Sequence, residues 1–569
     1  SWHAWNTHSN RPYCKTMNRT GILKCCAAAA IAGAALLFTF GKRDDFGLGR
    51  TMEIAVNMMR ELSLYFVDEV DPDKLLEGAA QGMVSHLAPY TEYLSEAEMS
   101  DFDVLTTGKY GGVGSLIRKK GDYVIFAQPY KDSPADKAGL RIGDKILAID
   151  GEDAKGFTTE EVSKRMRGAP GTTFRITVER LLGGRHETLT LRRERIAIPG
   201  VPYAGWAAEG IGYIQHSDFT EGCYDDMRSA IDRLRREGDL RGLVLDYRGN
   251  GGGILQEAVK ILSMFVPKGT EVVTTKGRTE GKSFRTSSEP ILPDLPLAVL
   301  VNGNTASAAE IVAGALQDLD RAVVIGQRSF GKGLVQTTRP LGYNAYLKLT
   351  TAKYYIPSGR CIQAVDYSRA QEGSVREVPD SLIREYATRG GRKVYDGGGI
   401  MPDVRMEPEY SSRFAVTLYL MGFIEDFGDR YMQTRPDKRV DSRTFALTDA
   451  DYEEFVRFMA DKEVPYESET RRALEALRKA AENDRYGAIA DEVEALEGQL
   501  RDDTQTNLET YRNEIVEMIE NDIVLRHHYA AGVIEHNLAD DPEIRRAVAI
   551  LDNPEEYARI VTSQDTQRK

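Results

Sequence analysis

At 569 residues, with 41% hydrophobic and 28% charged side chains, the chain is too long for one core and too apolar to be disordered; it reads as about three or four globular domains. The net charge of -13 excludes a general nucleic-acid surface, which needs a dense basic face to meet phosphates. Five cysteines, Cys14, Cys25, Cys26, Cys223 and Cys361, show neither CxxC nor Cys/His ligand spacing, which argues against structural zinc, any other metal centre and a disulfide framework.

Residues 1–16 have no periodicity, and Met17 is expected to be the natural start. From Cys25 to Phe40 the chain is uncharged and apolar, with Arg19 and Lys24 before it and Lys42-Arg43 after it. That run is short for a spanning helix but fits the apolar region of a secretory signal or a signal anchor, so 1–45 is expected to export the chain or tether it to a membrane. In 46–105, apolar residues recur at helical spacing (Ile54, Met58, Leu62, Tyr65, then Leu75, Leu76, Met83, Leu87) around a break at Asp71-Pro72-Asp73. A helical cap or self-association segment is expected there.

Residues 106–198 change to short alternating runs separated by glycines. The Gly111-Gly112-Val113-Gly114 loop, SPADKAGLRIGDKILAIDG from Ser133 to Gly151, a helix at Thr158 to Met166 and RGAPGT before a last strand together resemble a PDZ domain. Such a domain adds an extended peptide to a sheet edge and captures its terminal carboxylate on loop N–H groups. The resemblance places the carboxylate loop at Gly112, Val113 and Gly114, and the groove between the strand from Ser115 and the helix bearing Val162 and Met166.

Strand-like and helix-like runs then alternate through 199–405, which argues for a layered α/β core. Residues 406–569 are charged helices with little glycine, and a surface-facing helical appendage is expected.

The chemistry concentrates in NGNTASAAEIVAGALQDLDRAVVIGQRSFGKGLVQ, Asn302 to Gln336. Ser307 stands at a helix start, where unpartnered N–H groups and the helix dipole favour an oxyanion. Most serines so placed are only N-caps, so a base decides the matter. Of eight histidines only His216 lies in the α/β core, which leaves a Ser/His site open through that residue alone. Lys332, between Gly331 and Gly333 after the apolar AVVIG run, is the other candidate, since burial disfavours an ammonium and lowers its pKa. Gln336, four residues on, is a neutral partner that would not push that pKa back up. GQRSFGKG imitates a phosphate loop but has Gly333 where Ser or Thr is required, and DYRGNGGG fails the dinucleotide pattern at Ile254. The latter is better read as a turn whose glycine N–H groups can approach a carbonyl oxygen.

The PDZ-like segment together with LVLDYRGNGGG, NGNTASAAEIVAGALQD, GQRSFGKGLVQ, LKLTTAKYYIPSGRCIQ and GGGIMPDV resembles the C-terminal processing (tail-specific) serine peptidases over about residues 46–405. The resemblance implies a multidomain α+β protein with a crotonase- and Clp-protease-like α/β core, a PDZ domain, an N-terminal helical segment and a C-terminal helical domain. It implies Ser307 as nucleophile, Lys332 as base, Gln336 as the residue orienting the lysine, and an oxyanion hole from the N–H groups of Ala308 and Gly251, chosen over Gly252. Arg167 matches the basic PDZ residue that couples tail binding to activation. No cofactor is implied. The expected function is a cell-envelope serine endopeptidase, on the periplasmic side, acting through an acyl-enzyme on proteins with exposed apolar C-termini; homo-oligomers or an adaptor would be further partners. Two other classes stay open: a catalytically silent PDZ scaffold and a crotonase-like acyl-thioester enzyme.

Overall fold

The structure, a computed structural model, describes residues 45–562 apart from 86, 88–89, 279–280, 367–375, 379 and 501–502. The expected export or anchor segment at 1–45 lies outside the described residues but for its last one, and so do Cys14, Cys25 and Cys26. No helix among the described residues is long and apolar enough to cross a membrane. The chain divides into two compact units, one ending at Ser85 and the other running from residue 86.

The first unit holds helices Asp45–Tyr65 and Pro72–Val84. Asp71 caps the second by accepting the N–H groups of Asp73 and Lys74, with Pro72 at the first position, where its missing donor costs nothing.

In the second unit the PDZ sheet runs Ser115–Lys120, Tyr123–Pro129, Lys145–Ile149, Thr173–Glu179, His186–Arg192, so Ser115–Lys120 is an edge strand. Helix Thr159–Met166 begins with a full capping box between Thr158 and Glu161.

The α/β core is a six-stranded sheet in the order Tyr203–Ala208, Ile211–Gln215, Gly242–Asp246, Leu297–Val301, Val323–Gly326, Val404–Arg405, parallel except for its first pair. Its central strands are apolar on both faces, which demands a cover on each side. Leu243, Leu245, Leu297, Val299, Val301 and Val324 face helices Cys223–Glu237, Leu255–Leu262 and Ala308–Asp318. Val244, Ala298, Leu300, Val323 and Ile325 instead pack against Leu538, Ile544, Ala547, Ile550 and Leu551.

The segment expected as a surface appendage is therefore split. Residues from Phe414 to Val524 build an apolar core of their own, whereas helix Pro542–Leu551 is the second layer of the six-stranded sheet. The appendage also touches the PDZ domain: Lys120 of the edge strand lies 2.6 Å from Asp426 and 2.8 Å from Asp429, Arg118 pairs with Glu425, and Tyr529 Oη donates to Asp136 at 2.6 Å.

Candidate active site

Two turns and one loop converge at the carboxyl ends of the parallel strands, where open α/β sheets place their ligands. The first turn follows strand Leu297–Val301 and delivers Ser307 to the start of helix Ala308–Asp318. Ser307 has φ 55° and ψ -117°, a strained backbone for a residue with a side chain, costing about 1–3 kcal/mol unless its surroundings hold it. The second turn, Tyr247 to Gly253, leaves strand Gly242–Asp246 and is sewn to the first. Gly249 N–H donates to Asn302 Oδ1 at 3.0 Å, Ala306 N–H to the Asn250 carbonyl oxygen at 2.9 Å, and Thr305 Oγ1 to the Tyr247 carbonyl oxygen at 2.9 Å.

The lysine loop leaves strand Val323–Gly326, and Glu310 ties it to the serine turn. This carboxylate is fully buried and takes four donors: Ser307 N–H at 2.8 Å and Lys332 N–H at 2.9 Å on Oε2, Gly331 N–H at 2.7 Å and Ser329 Oγ at 2.5 Å on Oε1. Burial pushes its carboxyl above the usual range, and the bonds from Ser329, Lys332, Gly331 and Ser307 work against that shift. On the other side the buried hydroxyl of Tyr354 lies 2.5 Å from the Lys332 carbonyl oxygen and 3.1 Å from that of Ser307. The main chains of Ser307 and Lys332 are thus bridged twice.

Lys332 is half-buried, and burial, then the charge of Lys348, hold its pKa below the ordinary lysine value. The charges of Glu92 and Glu310 oppose that, and the ring of Tyr90 lies 4.4 Å from Nζ. The flanking glycines allow close packing, as a Cβ on Gly331 would fall 2.4 Å from Ala364 Cβ and one on Gly333 2.9 Å from Gln363 N.

Ala308 supplies a first-turn N–H beside Ser307, one of the helix donors that have no intrahelical acceptor. Gly252 is the glycine packed against it: a Cβ there would fall 2.7 Å from Ser307 Cβ and 2.8 Å from Ala308 N, and its φ is 96°. Its own N–H donates to Asn250 Oδ1 at 2.8 Å. Gly251, the glycine chosen from sequence, is exposed with open space around its Cα. The arrangement ties the main chain of a serine at a helix start to that of a lysine whose pKa is lowered.

A profile of peptidase family S41 matches residues 210–368, a PDZ-domain profile residues 125–180, and one described as "Probable PDZ-protease, C-terminal helical domain" residues 414–551. A carboxy-terminal-processing protease of Bartonella bacilliformis is 39% identical over 306 residues, which are 53% of this chain and 70% of that protein. The chain belongs to peptidase family S41. It is a PDZ-bearing member of the carboxy-terminal-processing serine peptidases. A "Probable CtpA-like serine protease" of Staphylococcus aureus is 34% identical over 332 residues, 57% of this chain and 66% of that protein. Among solved structures, the photosystem II D1 C-terminal processing protease is 27% identical, aligning over 62% of this chain and 86% of its own with a TM-score of 0.35.

Within this S41 chain the other sequence-expected residues fall unevenly. Gln336 lies on strand Leu334–Gly342 next to a register shift, opposite Thr350, and its buried Nε2 has no hydrogen-bond partner among the described residues. The structure does not bond it to Lys332. His216 is fully buried, its ring packed 4.3 Å from that of Phe219 and 5.3 Å from that of Tyr247, with Nε2 3.0 Å from the Asp218 carbonyl oxygen. Burial pushes its pKa down to about 4. In the PDZ domain, Val113, Val162 and Met166 lie in one apolar cluster, Gly112 pairs with Glu194, and the Gly114 carbonyl oxygen accepts Ser133 Oγ at 2.9 Å. The Arg167 guanidinium sits 5.3 Å over the Tyr110 ring. Among the described residues no cluster of His, Cys, Asp and Glu is arranged to hold a metal.

Sequence reasoning missed Glu310, Tyr354 and Asn250. Ser307-x-x-Glu310 is the capping-box spacing and could have pointed to Glu310. Tyr354 carried no such signal.

Proposed function

We propose that the chain is a serine endopeptidase that cleaves proteins near their C-termini by a Ser307/Lys332 dyad. Lys332 in its neutral form takes the proton of Ser307 Oγ as that oxygen attacks the scissile carbonyl carbon. The tetrahedral oxyanion is received by the Ala308 N–H and the Gly251 N–H, since the Gly252 N–H is engaged by Asn250 Oδ1 and the Gly249 N–H by Asn302 Oδ1. Collapse expels the amine, which takes the proton back from Lys332, and water then hydrolyses the Ser307 ester by the same proton path. Gln336 orients the lysine once substrate is bound.

The observation that carries this reading is the double bridge by Glu310 and Tyr354 between the Ser307 and Lys332 main chains, with the amine held below its ordinary pKa, in a chain of family S41. Substrate tails enter through the PDZ groove beside Ser115–Lys120, with the Gly112 to Gly114 loop taking the terminal carboxylate and Arg167 transmitting occupancy. The apolar run Cys25 to Phe40 supports export, so the substrates are envelope proteins with apolar C-termini.

The test compares terminal-peptide profiles of envelope proteins exposed to wild-type and Ser307→Ala chains. Tail fragments produced by the wild type should vanish with Ser307→Ala, and their persistence would refute the assignment.

A further inference from the structure

Arg248 stands in the glycine turn, two residues past Asp246, and its guanidinium is gripped from two sides. Nε lies 3.0 Å from Asp246 Oδ1 and Nη2 2.6 Å from Asp246 Oδ2, while Nη1 donates to Asp541 Oδ2 and Glu543 Oε2, both at 2.7 Å. Asp541 and Glu543 belong to the start of helix Pro542–Leu551, the C-terminal layer on the core sheet. Asp541 uses its other oxygen to cap that helix, accepting the N–H groups of Glu543 at 2.9 Å and Ile544 at 3.0 Å. The other oxygen of Glu543 accepts from Gln327 Nε2, and the Gln327 N–H donates to the Val301 carbonyl oxygen at 3.0 Å.

Gln327 opens the loop that leads to Lys332, and Arg248 lies in the turn that carries Asn250 and Gly252. One helix start therefore holds both approaches to the site. The Arg248 N–H also donates to Asp246 Oδ1 at 2.9 Å, and Asp246 receives Tyr213 Oη at 2.7 Å, so Asp246 ties down both the main chain and the guanidinium of Arg248. Burial disfavours the guanidinium's charge, but the three carboxylates outweigh it and hold its pKa above the ordinary arginine value. With Asp246 alone, Nη1 would lose its anionic acceptors and the guanidinium would be less confined, loosening the turn at Arg248 while its bonds to Asn302, Ala306 and Thr305 persist.

We infer that Asp541 and Glu543 are positioning residues for catalysis, acting through Arg248 on the oxyanion turn and through Gln327 on the lysine loop. The inference rests on the peptidase reading above.

The test is the full chain with Asp541→Asn and Glu543→Gln, singly and together, assayed on a tailed protein substrate after titration of active sites with a serine-reactive fluorophosphonate. Asn keeps the capping oxygen, so the single Asp541→Asn variant removes charge while leaving the helix start intact. The double variant should lose about tenfold in kcat per titrated site, with KM within about twofold and phosphonate labelling slowed in parallel. Ile550→Val, which loosens the packing of the same helix, should lower thermal stability with kcat per titrated site unchanged. An unchanged kcat per titrated site in the carboxylate variants would overturn the inference, as would an equal loss in Ile550→Val. Full hydrolysis by Ser307→Ala is a different failure, since it removes the peptidase reading itself.

Discussion

Glu310→Gln is the sharpest perturbation of the bridge between the serine turn and the lysine loop. The carboxylate meets Ser329 Oγ and Gly331 N–H on Oε1, and Ser307 N–H and Lys332 N–H on Oε2. A glutamine must put its NH2 on one of those sides. Facing Ser307 and Lys332, it leaves two buried N–H groups without an acceptor. Facing Ser329 and Gly331, it leaves one, because the serine hydroxyl can turn to accept, although Ser329 Oγ already receives the Ile400 N–H at 2.6 Å. The second orientation is therefore the cheaper. An orphaned buried donor costs about 1–3 kcal/mol, and the two remaining bonds each lose about 1 kcal/mol with the charge, so the variant should be less stable by about 3–5 kcal/mol. In that second orientation a neutral oxygen replaces the carboxylate on the Ser307 and Lys332 N–H groups while Gly331 N–H is orphaned, which weakens the hold on the strained serine turn and on the lysine loop, so kcat should fall about tenfold. Urea unfolding of the full chain and turnover of a tailed substrate read the two effects. Stability within about 0.5 kcal/mol of wild type together with wild-type turnover would refute the argument that this carboxylate organises the site.

Two further predictions concern pH. A lysine base works only when neutral, so kcat/KM should rise with pH through the lowered pKa of Lys332. Lys348→Met removes the charge that helps lower that pKa and releases Glu92, which raises it and now lies 3.0 Å from Lys348 Nζ. Both changes favour the ammonium, so the limb should move to higher pH; an unmoved or acid-shifted limb in the pH profile would count against Lys332 as the base. His216 titrates at about 4 in the fold against an ordinary value of 6.5, so the unfolded chain binds the extra proton between those values and stability rises with pH there. Acidifying from 6.5 to 4 should cost about 3 kcal/mol that His216→Phe does not lose, measured as the difference between their urea midpoints at the two pH values.

Much of the proposed site rests on residue types and spacing. Ser307 before a small-residue helix, Lys332 between two glycines and the RGNGGG turn are local features, and each constrains the backbone where it stands. What could not be read is long-range partnership. Tyr354 lies in a strand whose side-chain contacts depend on the register Tyr354 takes against Thr275, and nothing local says that its hydroxyl ends between two carbonyl oxygens. The alternation of strand-like and helix-like runs did imply a layered α/β core, yet only the fold says that one cover of its sheet comes from Ile544, Ala547, Ile550 and Leu551. The C-terminal charges looked like a solvated face because their periodicity is amphipathic. That reading fails where the charges are paired within the fold, at Glu425, Asp426 and Asp429 against the PDZ strand and at Asp541 and Glu543 on Arg248.

On the proposed Ser307/Lys332 reading, the placement of buried charge answers a difficulty in using lysine as a base. A carboxylate is needed to hold the strained serine turn, but one paired with the lysine amine would keep it protonated. Here both oxygens of Glu310 are occupied by main-chain and hydroxyl donors, and it acts on the Lys332 amine through its charge. On the opposite flank three carboxylates surround Arg248, which fixes the glycine turn with a cation whose charge is retained in the fold. The negative charge that organises the two turns is thus absorbed by N–H groups on one side and by a guanidinium on the other. Desolvation and the neighbouring Lys348 then outweigh the charges of Glu92 and Glu310 at Lys332, which makes the amine's pKa sensitive to whatever next removes water from the site, a bound peptide above all.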